Sequence, residues 1–195
     1  MTIDRVIEFA SGRGDIPKST FEMAATLLID TIGVAAGAAN LEAARIARDH
    51  AFAFHNAVAK DNKAYMIFDG RRTSIPGAAF AAATQIDSLD AHDGYNPTKG
   101  HIGCAVVPAL FAFSEAQPDL SALDALSALI ISYEVAARAA VAMHATVSDY
   151  HTSGAWNALG VAVLGCRLRG ATSDQLRQAL GIAEYHGPRS QMMRE

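Results

Sequence analysis

The chain has 195 residues, of which 51% are hydrophobic and 18% charged, so it can bury a sizeable core and falls outside the disordered class. A net charge of −4 without a basic run excludes a nucleic-acid footprint, while an anionic small molecule needs only a few local cations. Cys104 and Cys166 form neither a disulfide framework nor a metal spacing; read as reduced, buried thiols, they set a cytoplasmic expectation.

The apolar content is mostly alanine, which favours helices and lets them approach closely. Ile3, Val6, Ile7 and Ala10 predict a first helix that ends before Gly12 and Gly14. Ser19 and Glu22 match the S-x-x-E capping box, which predicts a second helix from about Thr20 to Ala36. Asp30, inside the apolar run Leu27–Ile32, reads as a buried acid that accepts hydrogen bonds from a nearby helix terminus. A third helix is expected over Leu41–Ala59, with His50 and His55 on its surface. Asp61–Asp69 is the one extended piece, a short strand or hairpin arm, and Pro76 suits the first turn of the helix that follows.

The stretch Thr84–Val107 interrupts this alanine-rich pattern with Asp87, Asp90, His92, Asp93, Thr98, Lys99 and His101, set among Gly94, Pro97, Gly100 and Gly103. A polar loop rimmed by apolar helices is a natural place for a site. Next come an all-round apolar helix over Ala105–Glu115 and a long helix capped by Ser121 that reaches about Met143. On the long helix Glu134 and Arg138 form a surface-type pair, and His144 sits at the end favoured by the dipole. Beyond His151-Thr152-Ser153-Gly154, the run Ala158–Leu168 is rich in small residues, including Gly160 and Gly165, so either a neighbouring helix or a ligand comes close there. Thr172 and Gln175 form a second capping-box match, opening a last helix to about Glu184. The N-terminus lacks the apolar core of a signal peptide, and the apolar run Ala155–Arg167 is too short to span a bilayer, so no membrane partner is expected. The fold expected is all-α, with about eight helices and at most one short strand pair.

Asp90, His92, Asp93 and His101 do not match zinc patterns such as H-x-x-x-H, and no cysteine has a suitable spacing, so no metal is expected. No nucleophile elbow or phosphate loop is present either. Acid/base chemistry remains. His101 and His151 each introduce a glycine-containing turn before an apolar helix, whose N-terminus can hold a carboxylate while the imidazole moves a proton.

Taken in order, Leu28–Gly33, Ser88–Asp93, His101–Gly103 with Val107–Ala109, Tyr133–Val135, His151–Gly154 and Ala179–Ala183 resemble the MmgE/PrpD family, which includes 2-methylcitrate dehydratase and cis-aconitate decarboxylase. The resemblance runs from about residue 5 to the C-terminus. It implies a helical domain, to which full-length members add a smaller α/β domain, a homodimer, and cofactor-independent lyase chemistry on a di- or tricarboxylate. By position it implies catalytic roles for Asp90, His101 and His151. The residues expected to hold substrate are Asp93, Thr98, Lys99 and Arg189, the last through a bidentate guanidinium. Where relatives commonly read D-F-D-D-T, this chain has Asp90-Ala91-His92-Asp93-Gly94, with Thr98 as the candidate replacement hydroxyl. The small domain and the family's site lysine lie beyond the matched segment, so the sequence reads as the N-terminal portion of such an enzyme. Two alternatives stay open: an isomerase or epimerase of a polycarboxylate, and a non-catalytic helical module for dimerisation or interaction.

Overall fold

A computed structural model describes residues 2–12, 14–147 and 152–187. Within them lie eight α-helices and one two-stranded antiparallel sheet, the all-α architecture expected. In chain order these are α1 (Ile3–Ser11), α2 (Lys18–Ala38), α3 (Glu42–Phe54), β1 (Lys63–Tyr65), β2 (Arg72–Ser74), α4 (Ile75–Asp87), α5 (Gly103–Ser114), α6 (Ala122–Thr146), α7 (Gly154–Leu168) and α8 (Ser173–His186). Short 3-10 turns cover Lys60–Asn62 and Asn96–Thr98.

Several helix ends follow from local chemistry. Ser74 accepts a hydrogen bond from the Gly77 N–H with Pro76 in the first turn of α4, Ser121 caps α6, and Thr172 and Gln175 form the reciprocal capping box of α8. The Ser19–Glu22 box does not form. Pro17, with its fixed φ of −58°, precedes a helix that starts at Lys18, which leaves Ser19 inside the first turn. α3 stops at Phe54, short of the expected Ala59, because His55 leaves helical geometry and its carbonyl accepts hydrogen bonds from the Thr73 hydroxyl (2.6 Å) and the Ser74 N–H (2.8 Å). The hairpin is thereby tied to the end of α3.

α6 and α7 pack against each other at the centre, with α5 against α7 and α4 against α5. The main core joins Ile102, Val106, Leu110, Leu129, Trp156 and Leu164; a second cluster under α1 and α8 contains Ile7, Ile131, Val163 and Leu180. A Cβ on Gly160 would stand 2.9 Å from both Ala136 Cβ and the Ser132 carbonyl, and one on Gly165 would stand 2.7 Å from the Phe113 ring. The small residues of α7 therefore admit α6 and α5. A neighbouring helix, not a ligand, explains them. α2 and α6 also have the length and apolarity of a bilayer-crossing helix, which the shorter run Ala155–Arg167 does not; α6 is the middle of the bundle, packed on α7, α5 and α2.

One buried polar cluster holds the α2–α4 half together. Arg48 Nη1 donates to Gln85 Oε1 (2.5 Å), its Nη2 donates to the Ala39 carbonyl (2.8 Å), and its Nε faces Asp69 Oδ2 at 3.3 Å. Gln85 Nε2 donates to the Ala35 carbonyl (2.6 Å), and Arg71 bridges Asp69 and Asp49. Asp69 is held below the usual carboxylate range, chiefly by the hydrogen bond from the Arg71 side chain, against the opposing effect of its burial.

Candidate active site

The polar stretch between α4 and α5 folds into a braced loop. The chain leaves α4 with Asp90 in the left-handed region (φ 49°), a conformation aspartate tolerates better than most residues. Farther on, the Tyr95 N–H donates to the Gly100 carbonyl (2.9 Å) in an isolated antiparallel bridge. This bridge closes a tight turn through Asn96–Thr98, with Lys99 exposed and left-handed at φ 50°. Thr98 is fully buried, and its hydroxyl donates to the Tyr95 carbonyl at 2.9 Å. That places Thr98 as a brace of the turn, not as the outward hydroxyl expected for a substrate contact.

Asp93 is likewise turned inward. Its carboxylate accepts from the Gly103 N–H at the start of α5 (3.1 and 3.3 Å), where unpaired N–H groups and the helix dipole favour an anion. The fit requires glycine: a Cβ on Gly103 would stand 2.3 Å from Asp93 Oδ1 and 2.5 Å from the Tyr133 hydroxyl. Burial raises the Asp93 pKa above the usual carboxylate range, and Asp30 adds to the rise, while Tyr133, the Gly103 N–H and His101 oppose it. Burial, followed by the Asp93 charge, pushes the Tyr133 phenol well above its ordinary range. Asp30 itself is exposed. The expectation of a buried acid fails because α2 turns this face outward, with the neighbouring Ile29 70% exposed as well.

His101 stands between these braces and solvent. Its Nδ1 lies 2.7 Å from the Asp93 carbonyl oxygen, and its Nε2 lies 3.7 Å from Asp90 Oδ1. A carbonyl only accepts, so Nδ1 carries the hydrogen, and in the neutral ring the lone pair is on Nε2, facing Asp90. Asn157 of α7, buried, donates to the His101 carbonyl from Nδ2 (2.8 Å), and Gly100 packs where a Cβ would meet Ser153 Oγ at 2.6 Å and Trp156 at 2.8 Å. The start of α7 thus fixes the backbone that presents the imidazole. The Asp90 side chain is 82% exposed and that of His101 31%, so the pair is open to a ligand from solvent.

His92 lies behind His101, with ring centroids 4.1 Å apart, and its side chain has no exposed surface. Burial, then the neighbouring His101, lowers its pKa, against the opposing charges of Asp87, Asp90 and Asp30. Cys104, in the first turn of α5, also adjoins this group, and burial pushes its thiol up to about 12. The structure brings Asp90, Asp93 and His101 together, with Thr98 and Lys99 in the adjoining turn; His151 and Arg189 lie outside the described residues. Tyr133, Asn157 and Gly103 are the members that sequence spacing did not single out as site residues. Two larger grooves lie elsewhere. One, of about 970 Å³, lies beside Ala10, Pro118 and Leu168, and another, of about 1160 Å³, lies between α1, α6 and α8 and meets the loop at Tyr95. Neither contains His101, whose claim rests on convergent titratable groups rather than on volume.

Comparisons with known proteins give the family. A model of the MmgE/PrpD N-terminal domain matches residues 11–195. A cis-aconitate decarboxylase-like protein, oryM, of Aspergillus oryzae (strain ATCC 42149 / RIB 40) is 26% identical over 184 residues, covering 87% of this chain and 36% of the relative. The chain therefore spans little more than a third of the length of that relative. With the family model matched across nearly its whole length, the chain belongs to the MmgE/PrpD family through that family's N-terminal domain.

Proposed function

We propose that the loop of Asp90 and His101 supplies proton transfer for lyase-type chemistry on a di- or tricarboxylate, as a dehydratase or decarboxylase. One observation carries this reading: Nδ1 of His101 is committed to a carbonyl, so the basic Nε2 is directed at an exposed loop beside a carboxylate. In that role Nε2 takes a proton from the carbon next to a substrate carboxylate, and Asp90 stabilises the imidazolium that forms. In a dehydration that electron pair forms the new double bond as the C–O bond on the neighbouring carbon breaks, and the leaving hydroxide takes the imidazolium proton to depart as water. In a decarboxylation the C–CO2 bond breaks instead, CO2 leaves, and the electron pair it releases takes up a proton from the protonated His101. Lys99 at the tip of the turn, with His151 and Arg189, supplies positive charge for the substrate's other carboxylates. Asp93 and Thr98 act as positioning residues that hold His101 and the turn. The relative's printed name and membership of the MmgE/PrpD family support carboxylate chemistry of this class.

Thermal-shift titration with citrate, 2-methylcitrate, cis-aconitate and iminodisuccinate, beside a monocarboxylate, tests the reading. A ligand at about 100 times its Kd adds roughly 2.7 kcal/mol, which moves the midpoint by several degrees in a chain of this size. A selective rise that His101→Asn diminishes is expected; a flat response from a cooperatively folding chain defeats the assignment of an anion site to this loop. Epimerisation would begin with the same proton abstraction and is separated by product analysis. A second reading, a helical interaction module, is favoured by the exposed Met23 and Ile29 of α2 and Ile46, Phe52 and Phe54 of α3. A dimer in sedimentation that ignores every polycarboxylate would support it.

A further inference from the structure

His92 is hard to account for as a core residue. Its side chain is fully buried, yet neither ring nitrogen has a hydrogen-bond partner among the described residues. The nearest charged group is Asp87 at the end of α4, whose Oδ1 is 3.5 Å from His92 Nε2, long for a hydrogen bond. The Cys104 thiol approaches from the first turn of α5, and one donor atom from each of Asp87, His92 and Cys104 lies within 4.8 Å of the others. The three converge without bonding one another. A tetrahedral ion with bonds of about 2.0–2.3 Å holds neighbouring ligand atoms roughly 3.3–3.6 Å apart, so the imidazole–carboxylate pair already has that spacing. The thiol, within 4.8 Å of both, closes the other two edges by moving toward them.

We propose that Asp87, His92 and Cys104 form a site for one divalent ion of the zinc class, separate from the Asp90–His101 pair. The donor set chooses the ion: imidazole with thiolate suits zinc and its borderline-soft neighbours, whereas calcium and magnesium require oxygen. The ion binds Cys104 as thiolate, its charge displacing the proton that burial otherwise keeps on the sulfur. The Asp87 side chain is 70% exposed, which leaves the fourth position to water and gives the ion a way in. Because the ligands come from the end of α4, the loop and the start of α5, the ion ties together both ends of the segment that carries His101. It also fixes the ring on which His101 rests. This role is to hold the loop, and it does not depend on the proposed reaction. Linear spacing missed the site because Cys104 stands on a different element from His92 and reaches it only when α5 folds back against α4.

Cobalt(II) titration of the tag-free chain under reducing conditions, followed by absorption, tests it. Expected are one equivalent bound, a near-ultraviolet thiolate-to-cobalt band, displacement by zinc, and a midpoint raised by several degrees in zinc. Cys104→Ser removes the band, Asp87→Asn and His92→Gln weaken binding on the order of tenfold or more, and Cys166→Ser changes nothing. A folded wild-type chain without the band overturns the proposal. So does a band that persists unchanged in Cys104→Ser and His92→Gln.

Discussion

Two regions of this molecule bury polar groups, and they treat them in opposite ways. Around Arg48 both Nη atoms make hydrogen bonds, to Gln85 and the Ala39 carbonyl, and Nε, which makes none among the described residues, faces Asp69 at 3.3 Å, while Arg71 joins Asp69 to Asp49. Around His92 and His101 the buried imidazole has no hydrogen-bond partner among the described residues, Asp93 is raised in pKa by its burial, and a basic nitrogen is left facing an exposed loop. Buried polarity that is paired fastens the α2–α4 half, and buried polarity that is left incomplete is what motivates the proposed ligand and ion sites at the loop.

Breaking each region should therefore have different consequences. The largest effect is expected at Arg48: Arg48→Met leaves Gln85 Oε1 and the Ala39 carbonyl without their donor and Asp69 with Arg71 alone, and each buried acceptor left unpaired costs about 1–3 kcal/mol. Urea unfolding measures it, and a loss below about 1 kcal/mol would mean that the cluster is not the fastening it resembles. Next is His101→Gln, which in an active, full-length form should lower turnover on the order of 10²-fold or more while costing only about 1 kcal/mol of stability for the one bond to Asp93. Near-wild-type turnover would remove His101 from the mechanism. Gly103→Ala belongs to both classes. Its methyl displaces Asp93 and Tyr133, so about 1–3 kcal/mol of stability should be lost together with the polycarboxylate response. A stable variant with an intact response would show that the Asp93–Tyr133 contact yields easily.

The sequence made the helices legible because most of their ends are written locally, as at Ser121 and the Thr172–Gln175 box. It misled at Ser19, where a proline two residues earlier decides the start, and at Asp30, where an apolar neighbourhood in the chain is an exposed face in the fold. The loop drew notice through its density of polar residues, yet composition does not say which of them face inward. Thr98 and Asp93 are consumed by backbone groups of their own loop and of α5, and that is decided by how the turn closes through the Tyr95–Gly100 bridge. Tyr133, Asn157 and Cys104 reach the site from α6, α7 and α5. Only the packing of these helices around the small residues of α7 and around Gly103 brings them there.

The subtlest test sets one aspartate of each region against the other. Asp69 has a lowered pKa because the Arg71 hydrogen bond favours its charged form, so its contribution is present above the unfolded carboxylate value, about 3.9, and is lost as pH falls through its folded pKa. Asp93 has a raised pKa because burial disfavours its charge; its contribution is present below about 3.9 and is lost as pH rises through its folded pKa. Asp69→Asn should therefore destabilise the chain at pH 7 and still at pH 4, with the deficit shrinking only as pH falls below about 3.9. Asp93→Asn keeps an oxygen for the Gly103 N–H without the charge, so its stability relative to wild type should improve from pH 4 to pH 7. Urea midpoints of the three proteins at pH 7, pH 4 and about pH 2.5 decide the matter. If the two variants changed with pH in the same direction, the incomplete polarity of the His101 loop would differ from the Arg48 cluster in layout alone, and the electrostatic argument for placing the site there would fall.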